Sequence, residues 1–431
     1  MTTAEKGAVG SVAGRRRRGI IRALGLGLIA GAADDDPSAI GTYASAGAKL
    51  GVGFLWTAPV TLPMMFAVVF LSAKLGQVTG RGLFQVIKDY YPSWLLYPTL
   101  VGVLIGNTIE AGADLGGMAA AINLFVPVPV PLLVVAIGAV LLALQFWGSY
   151  VLIRNVFRWL ALVLIAYVGS ALLAKPDPIQ VLRGTFIPHV EVNKDYLTLL
   201  VAVIGTTLSA YLYSWQSNQE VEEKIAAGRQ RSSERGGATE QEIESSGRDV
   251  LVGMIFSNVV MYFIILSTAA TLNKSGPRDI ETAAEAAQAL QPLAGDAARI
   301  LFLIGMIGVG FLAVPVMTTG AAYDLAQVLG WQHSLHAKPS EARKFYGTIA
   351  AFTAIGIGMN FVGFNAMKAL VFAGVVQGFS TPPLLLLILL ITNNRRIMRD
   401  KVNGVWINIL GWLTTTVIFA ASFGLVASWF V

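Results

Sequence analysis

Gly31-Ala32-Ala33-Asp34-Asp35-Asp36-Pro37-Ser38-Ala39-Ile40 decides how the chain folds. It lies inside an apolar segment running from about residue 20 to about residue 47. One Asp at the centre of a membrane helix costs ~2.5–3.5 kcal/mol on insertion scales, so three in succession need a reason. Pro37 removes a backbone donor and clashes with the preceding turn, which predicts a broken helix. A break at membrane depth is tolerated only where protein buries it or where it lines a wet cavity. The freed carbonyls and the carboxylates beside them then make a hard, oxygen-rich cation site. The alternative is a soluble acidic turn between two short helices, since neither flank alone crosses ~30 Å of hydrocarbon at ~1.5 Å per residue.

Composition chooses the first. The chain has 431 residues, 55% hydrophobic and 13% charged, against roughly 25% charge in a soluble domain. An all-α polytopic membrane protein is predicted. There is no cysteine, which excludes disulfides, thiolate metal sites and iron–sulfur clusters. His189, His333 and His336 are scattered over polar connections and make no zinc site. The net charge of +6 lies next to apolar spans and points to an anionic lipid leaflet rather than to nucleic acid. Residues 1–14 hold no apolar core before Arg15-Arg16-Arg17-Arg18, so no cleaved signal is expected.

Eleven spans follow, near 20–47, 52–73, 95–123, 131–148, 157–174, 196–219, 250–272, 297–328, 345–363, 368–392 and 405–429. The positive-inside rule tests the count. With the N-terminus inside, 23 of the 31 Lys and Arg fall in cytoplasmic segments, seven fall on the other side, and Lys368 sits at a span edge. The cytoplasmic membrane is the expected location, with the N-terminus cytoplasmic and the C-terminus extracellular.

Eleven spans allow two five-span units and one extra helix. An odd-numbered unit followed by its copy must be inverted across the membrane. The predicted organisation is a basic N-terminus at 1–19, a first repeat at 20–174, an external loop at 175–195, a second repeat at 196–392, and a cytoplasmic loop with the last span at 393–431. The first and sixth spans then correspond. The sixth contains Gly205-Thr206-Thr207-Leu208-Ser209-Ala210-Tyr211, small and hydroxyl residues that weaken a helix without a proline. The charged, Gly/Ser-containing stretch 220–249 reads as a mobile connection, and Glu220, Glu222 and Glu223 as the solvated end of span six. Glu110 and Asp114 are four residues apart and share one face of span three. Intramembrane carboxylates mark an ion pathway, a proton relay or a structural pair. Gln377, Ser380 and Thr381, before Pro382-Pro383, offer further polar groups from span ten.

Asp36-Pro37 within a broken first span resembles the natural-resistance-associated macrophage protein (Nramp) family of divalent metal transporters, whose signature there is Asp-Pro-Gly-Asn. This chain has Asp36-Pro37-Ser38-Ala39. The run Ala33-Asp34-Asp35-Asp36-Pro37-Ser38 and the end of span six, Trp215-Gln216-Ser217-Asn218-Gln219-Glu220-Val221-Glu222-Glu223, are most similar to the prokaryotic Nramp-related magnesium transporters. The resemblance implies a leucine-transporter-type fold with broken helices 1 and 6. It implies metal binding by Asp36 and by the carbonyls of Ala33 and Thr206, no cofactor, and no enzymatic step. Ala39 stands where the family has its ligand Asn, Ser209 where it has Met, and Tyr211 where it has His.

An all-oxygen site suits hard cations, and Mg²⁺ keeps several waters and one or two carboxylates. Asp35 and Asp36 with Ser209, Tyr211 and Gln216 then surround a hydrated ion, and Glu110, Asp114, Gln377 and Ser380 support the site or the pathway. The expected function is secondary transport of a divalent cation, Mg²⁺ first and Mn²⁺ second, possible without proton coupling. The alternatives are a proton-coupled Mn²⁺/Fe²⁺ transporter and a cation-coupled amino-acid symporter. The partners expected are the metal ion and the lipid bilayer.

Overall fold

A computed structural model describes residues 30–147, 162–229 and 231–430. The basic N-terminus, residues 20–29 of the first span, Arg154, Arg158 and the start of the fifth span lie outside the described residues.

The described residues are helical, without strands. Among the described residues, eight helical stretches are long and apolar enough to cross a membrane, and they fall on predicted spans two, three, four, six, seven, eight, ten and eleven. Twelve helices carry the fold: α1 (Pro37–Leu50), α2 (Thr57–Thr79), α3 (Ser93–Asn123), α4 (Val130–Trp147), α5 (Ala166–Leu173), α6 (Lys194–Thr207), α7 (Ala210–Ala226), α8 (Glu240–Thr271), α9 (Ala298–Leu329), α10 (Arg343–Met359), α11 (Ala366–Thr392) and α12 (Val405–Ala427). A helical turn at 30–34 and α1 make the broken first span, and α6 with α7 make the broken sixth. The shorter α5 and α10 take the places of spans five and nine.

Side chains start these helices. Asn193 accepts the Tyr196 amide at 2.8 Å, Asn365 accepts that of Lys368 at 3.1 Å, and Thr239 forms a reciprocal capping box with Glu242. The packing has the exchange pattern expected of inverted repeats: α1 packs on α8 as α7 packs on α2, and α2 and α8 pack on each other. Close approach depends on missing side chains. A Cβ on Gly205 would lie 2.0 Å from the Gly374 carbonyl oxygen where α6 meets α11, and one on Gly31 would lie 2.2 Å from that of Gly253 on α8.

The stretch 220–249 corrects the expectation of a mobile connection. α7 continues to Ala226, and α8 already begins at Glu240. Lys224 holds the intervening turn, its ammonium donating to the carbonyls of Arg235 at 2.8 Å, Gly237 at 3.0 Å, and Gln77. Nor is the acidic end of span six solvated throughout. Glu220 and Glu222 are buried and only Glu223 is exposed. Glu220 accepts from Gln77, Gln216 and Ser246, and Glu222 from Tyr323 and Ser334. Enough donors converge to replace water around both carboxylates.

Candidate functional site

The first break falls at Asp35 and Asp36, between the turn at 30–34 and α1. Asp36 caps α1: its Oδ1 accepts the Ala39 N–H at 2.7 Å, and its carbonyl accepts that of Ile40 at 3.0 Å. Pro37 takes the first helical position, where a missing N–H is no loss. Asp114 of α3 reaches the same helix end. Its Oδ1 accepts from both the N–H and the hydroxyl of Ser38, each at 2.9 Å. Two carboxylates therefore face the positive end of α1.

The second break needs no proline. α6 ends at Thr207, Leu208 leaves the helical region at φ −120°, ψ 40°, and Ser209 is extended at φ −63°, ψ 137°. Hydroxyls from elsewhere satisfy the freed Leu208 carbonyl, Tyr213 donating at 2.6 Å and Thr381 at 3.2 Å. Ser209 Oγ shares its proton among the carbonyls of Thr206 at 2.9 Å and Gly205 at 3.0 Å and Glu110 Oε1 at 3.2 Å. Glu110 Oε2 accepts from Gln377 Nε2 at 2.6 Å. Ser380 fixes that amide by donating to Gln377 Oε1 at 3.0 Å.

Tyr211 joins the breaks. Its hydroxyl forks between the Ala33 carbonyl oxygen at 2.7 Å and Asp36 Oδ2 at 3.1 Å. Ala33, Asp36, Glu110, Asp114, Thr206, Ser209, Tyr211 and Gln377 are all 0% exposed. Among the described residues Asp114 Oδ2 and Thr206 Oγ1 have no hydrogen-bond partner, leaving polar capacity for water or a cation. Among the described residues no three His, Cys, Asp or Glu side chains are arranged to hold an ion. What converges is a mixed set of carboxylate, carbonyl and hydroxyl oxygens, the ligand chemistry of hard, partly hydrated cations.

Two sequence candidates turn elsewhere. Asp35 faces α8, where Ser257 Oγ lies 3.2 Å from Asp35 Oδ1 and 2.6 Å from Asp34 Oδ2. Gln216 donates to Glu220 at 3.1 Å, within the same half-helix. Sequence reading missed Ser38 and Ser257 as partners of these carboxylates and gave Asn107 no role, although Asn107 lies 3.3 Å from Gln377 Nε2. It also passed over Asp324, whose signal was a charge inside an otherwise apolar eighth span. Away from the breaks, Lys49 at the end of α1 pairs at 2.9 Å with both Asp195 and Asp279. These three residues line a cleft of about 660 Å³ with Thr198, Glu281 and Lys368, and no carboxylate of the breaks reaches it.

A multi-span bundle with two interrupted helices packed against each other at their polar breaks defines a membrane transporter of the inverted-repeat class. The chain belongs to the family described as natural resistance-associated macrophage protein-like, which matches residues 27–428; it is a multi-pass transporter and not an enzyme. It is 28% identical over 423 residues to the divalent metal cation transporter MntH of Bacillus subtilis, covering 96% of this chain and 93% of that protein. The MntH of Deinococcus radiodurans is 26% identical over 417 residues, covering 95% and 91%. The fold is shared with the manganese transporter of Eremococcus coleocola, at a TM-score of 0.70 and 16% identity, with 94% of this chain and 85% of that one covered. Mhp1 in its inward-facing conformation has the same architecture at a TM-score of 0.53 and 16% identity, with 94% and 88% covered.

Proposed function

We propose that the chain carries a hard divalent cation, Mg²⁺ first and Mn²⁺ second, across the cytoplasmic membrane by alternating access. Asp36 and Ser209 and the carbonyls of Ala33 and Thr206 form the site, and Tyr211, Glu110, Asp114, Gln377 and Ser380 support it or the pathway. The two repeats, 20–174 and 196–392, move about that site, with the N-terminus cytoplasmic and the C-terminus outside. The cation is cargo, not cofactor. The observation that carries the reading is the all-oxygen lining of the joined breaks. Ser209 and Ala39 contribute neither sulfur nor an amide, so nothing there favours a softer ion over abundant Mg²⁺. Tyr211, with a reference pKa of about 10, is a poor proton carrier near neutral pH, which supports transport without proton coupling.

A proton-coupled Mn²⁺/Fe²⁺ transporter is the second reading, favoured by the relatives named for divalent metal and manganese transport and by the buried Glu110 and Asp114. An amino-acid symporter would need a free helix N-terminus for a substrate carboxylate. At α1 that end is taken by Asp36 and Asp114, so this reading falls away. Uptake of Mg²⁺ and Mn²⁺ into sealed vesicles holding the purified protein, with lumenal pH recorded, separates the other two. The expected outcome is Mg²⁺ uptake with no metal-dependent pH change. Mn²⁺ uptake that acidifies the lumen and excludes Mg²⁺ would establish the second reading.

A further inference from the structure

α7 is polar yet buried. Tyr211, Ser214, Asn218 and Glu222 recur at intervals of three, four and four residues, so they share one helix face. Each is more than nine-tenths buried. Beyond Tyr211 the face meets α9 and the loop after it. Ser214 Oγ donates to Asp324 Oδ1, Gln327 Nε2 donates to Asn218 Oδ1 at 2.5 Å, and the Tyr323 hydroxyl donates to Glu222 Oε1 at 2.7 Å.

Asp324 is the anomaly in this seam. It is 0% exposed, its Oδ2 has no hydrogen-bond partner, and no Lys, Arg or His pairs with it among the described residues. Packing does not call for a carboxylate here, because an amide would accept from Ser214 equally well. A buried intramembrane carboxylate without a fixed counter-charge marks an ion path.

We propose that Asp324 is a second, transient station for the divalent cation, on the seam between α7 and α9. It lies between the Asp36 site and the end of α7, with Glu222 the last carboxylate before the surface. The proposal rests on the reading of the chain as a divalent-cation transporter with its site at Asp36. Asp324 Oδ2 and Ser214 Oγ are hard donors, suited to a cation that keeps most of its water. Ser214 stands three residues beyond Tyr211, a rise of about 4.5 Å along α7, so the side chains that touch Asp36 and Asp324 lie on successive turns of one helix face. A weak intermediate site keeps the ion paired while letting it leave. In this structure the seam is closed, and the ion passes when α7 parts from α9.

The test uses the full-length protein in proteoliposomes with Mn²⁺ as the probe. Asp324→Asn keeps the volume and the acceptor for Ser214 but removes the charge. Equilibrium Mn²⁺ affinity should change less than about threefold while the initial transport rate falls about tenfold or more, the signature of an interaction made in transit. Asp324→Glu, which restores the charge, should recover most of the rate. Wild-type flux in Asp324→Asn would overturn the proposal, as would equal impairment of Asn and Glu variants, which a packing role produces. Asp36→Ala tells the two failures apart. If it still binds Mn²⁺ like wild type, the site reading itself fails; if it loses binding while Asp324→Asn transports normally, the second station alone is wrong.

Discussion

Replacing Tyr211 by Phe removes one oxygen from the junction of the two breaks. That oxygen lies 2.7 Å from the Ala33 carbonyl and 3.1 Å from Asp36 Oδ2, the two oxygens through which a cation would touch the first break. The hydroxyl and the cargo compete for them. A hydrogen bond to a charged group contributes ~1.5–3 kcal/mol and one to a neutral carbonyl ~0.5–1.5 kcal/mol. A single proton forked between two acceptors gives less than the sum, about 1.5 kcal/mol, and all of it belongs to the empty state. Its loss therefore emerges as tighter cation binding, about tenfold in Kd. The ring stays, so the packing of a fully buried side chain is kept. Calorimetric titration of wild-type and Tyr211→Phe proteins with Mn²⁺, at one pH and ionic strength, measures the difference. An unchanged Kd, or weaker binding by the Phe variant, would refute the competition. Weaker binding would make the hydroxyl a ligand.

Three further outcomes are expected. Asp36→Asn, which keeps a capping side chain, should insert normally yet bind Mn²⁺ more than about a hundredfold more weakly, since even groups that only support ligands are worth 10–100-fold; a wild-type titration would remove Asp36 from the site, and Asp35→Ala should be milder because Asp35 faces Ser257. Ser209→Met with Ala39→Asn should raise Cd²⁺ affinity and weaken Mg²⁺ uptake by adding a soft thioether and an amide oxygen, the two effects not simply adding across joined breaks; a double variant with wild-type Mg²⁺ uptake and no Cd²⁺ gain would put Ser209 away from the metal. A reporter fused to the C-terminus should be active only outside the cell, and one active only in the cytoplasm would mean an even number of spans.

Periodicity and charge carried most of the fold, because a bilayer punishes any other arrangement of so apolar a chain. Pro37 after three carboxylates announced the first break, and clustered hydroxyls announced the second without a proline. What the sequence hid was partnership. Glu110 and Asp114 share a helix face, but spacing cannot say that Asp114 serves the α1 terminus while Glu110 serves Ser209 and Gln377. That depends on where α3 crosses two other helices. The acidic end of α7 misled for the same reason: Glu220 and Glu222 resemble solvated charges until Gln77, Ser246, Tyr323 and Ser334 are brought in from distant parts of the chain.

Those partnerships also suggest why cargo and conformation are linked. α3 holds one end of each break, Asp114 at α1 and Glu110 at the start of α7, while Tyr211 ties the breaks directly to each other. A half-helix that swings away must give up hydrogen bonds to buried carboxylates and carbonyls, each loss costing ~1–3 kcal/mol if nothing replaces it. Water entering from one side replaces them only where that side has opened. On the proposed reading a divalent cation would replace them in the closed state, drawing Asp36, the Ala33 carbonyl and the oxygens around Ser209 toward one centre. The cargo would thereby lower the energy of releasing Tyr211 and let one half-helix move relative to the other, which is the differential binding that any ligand-driven shift between two states requires.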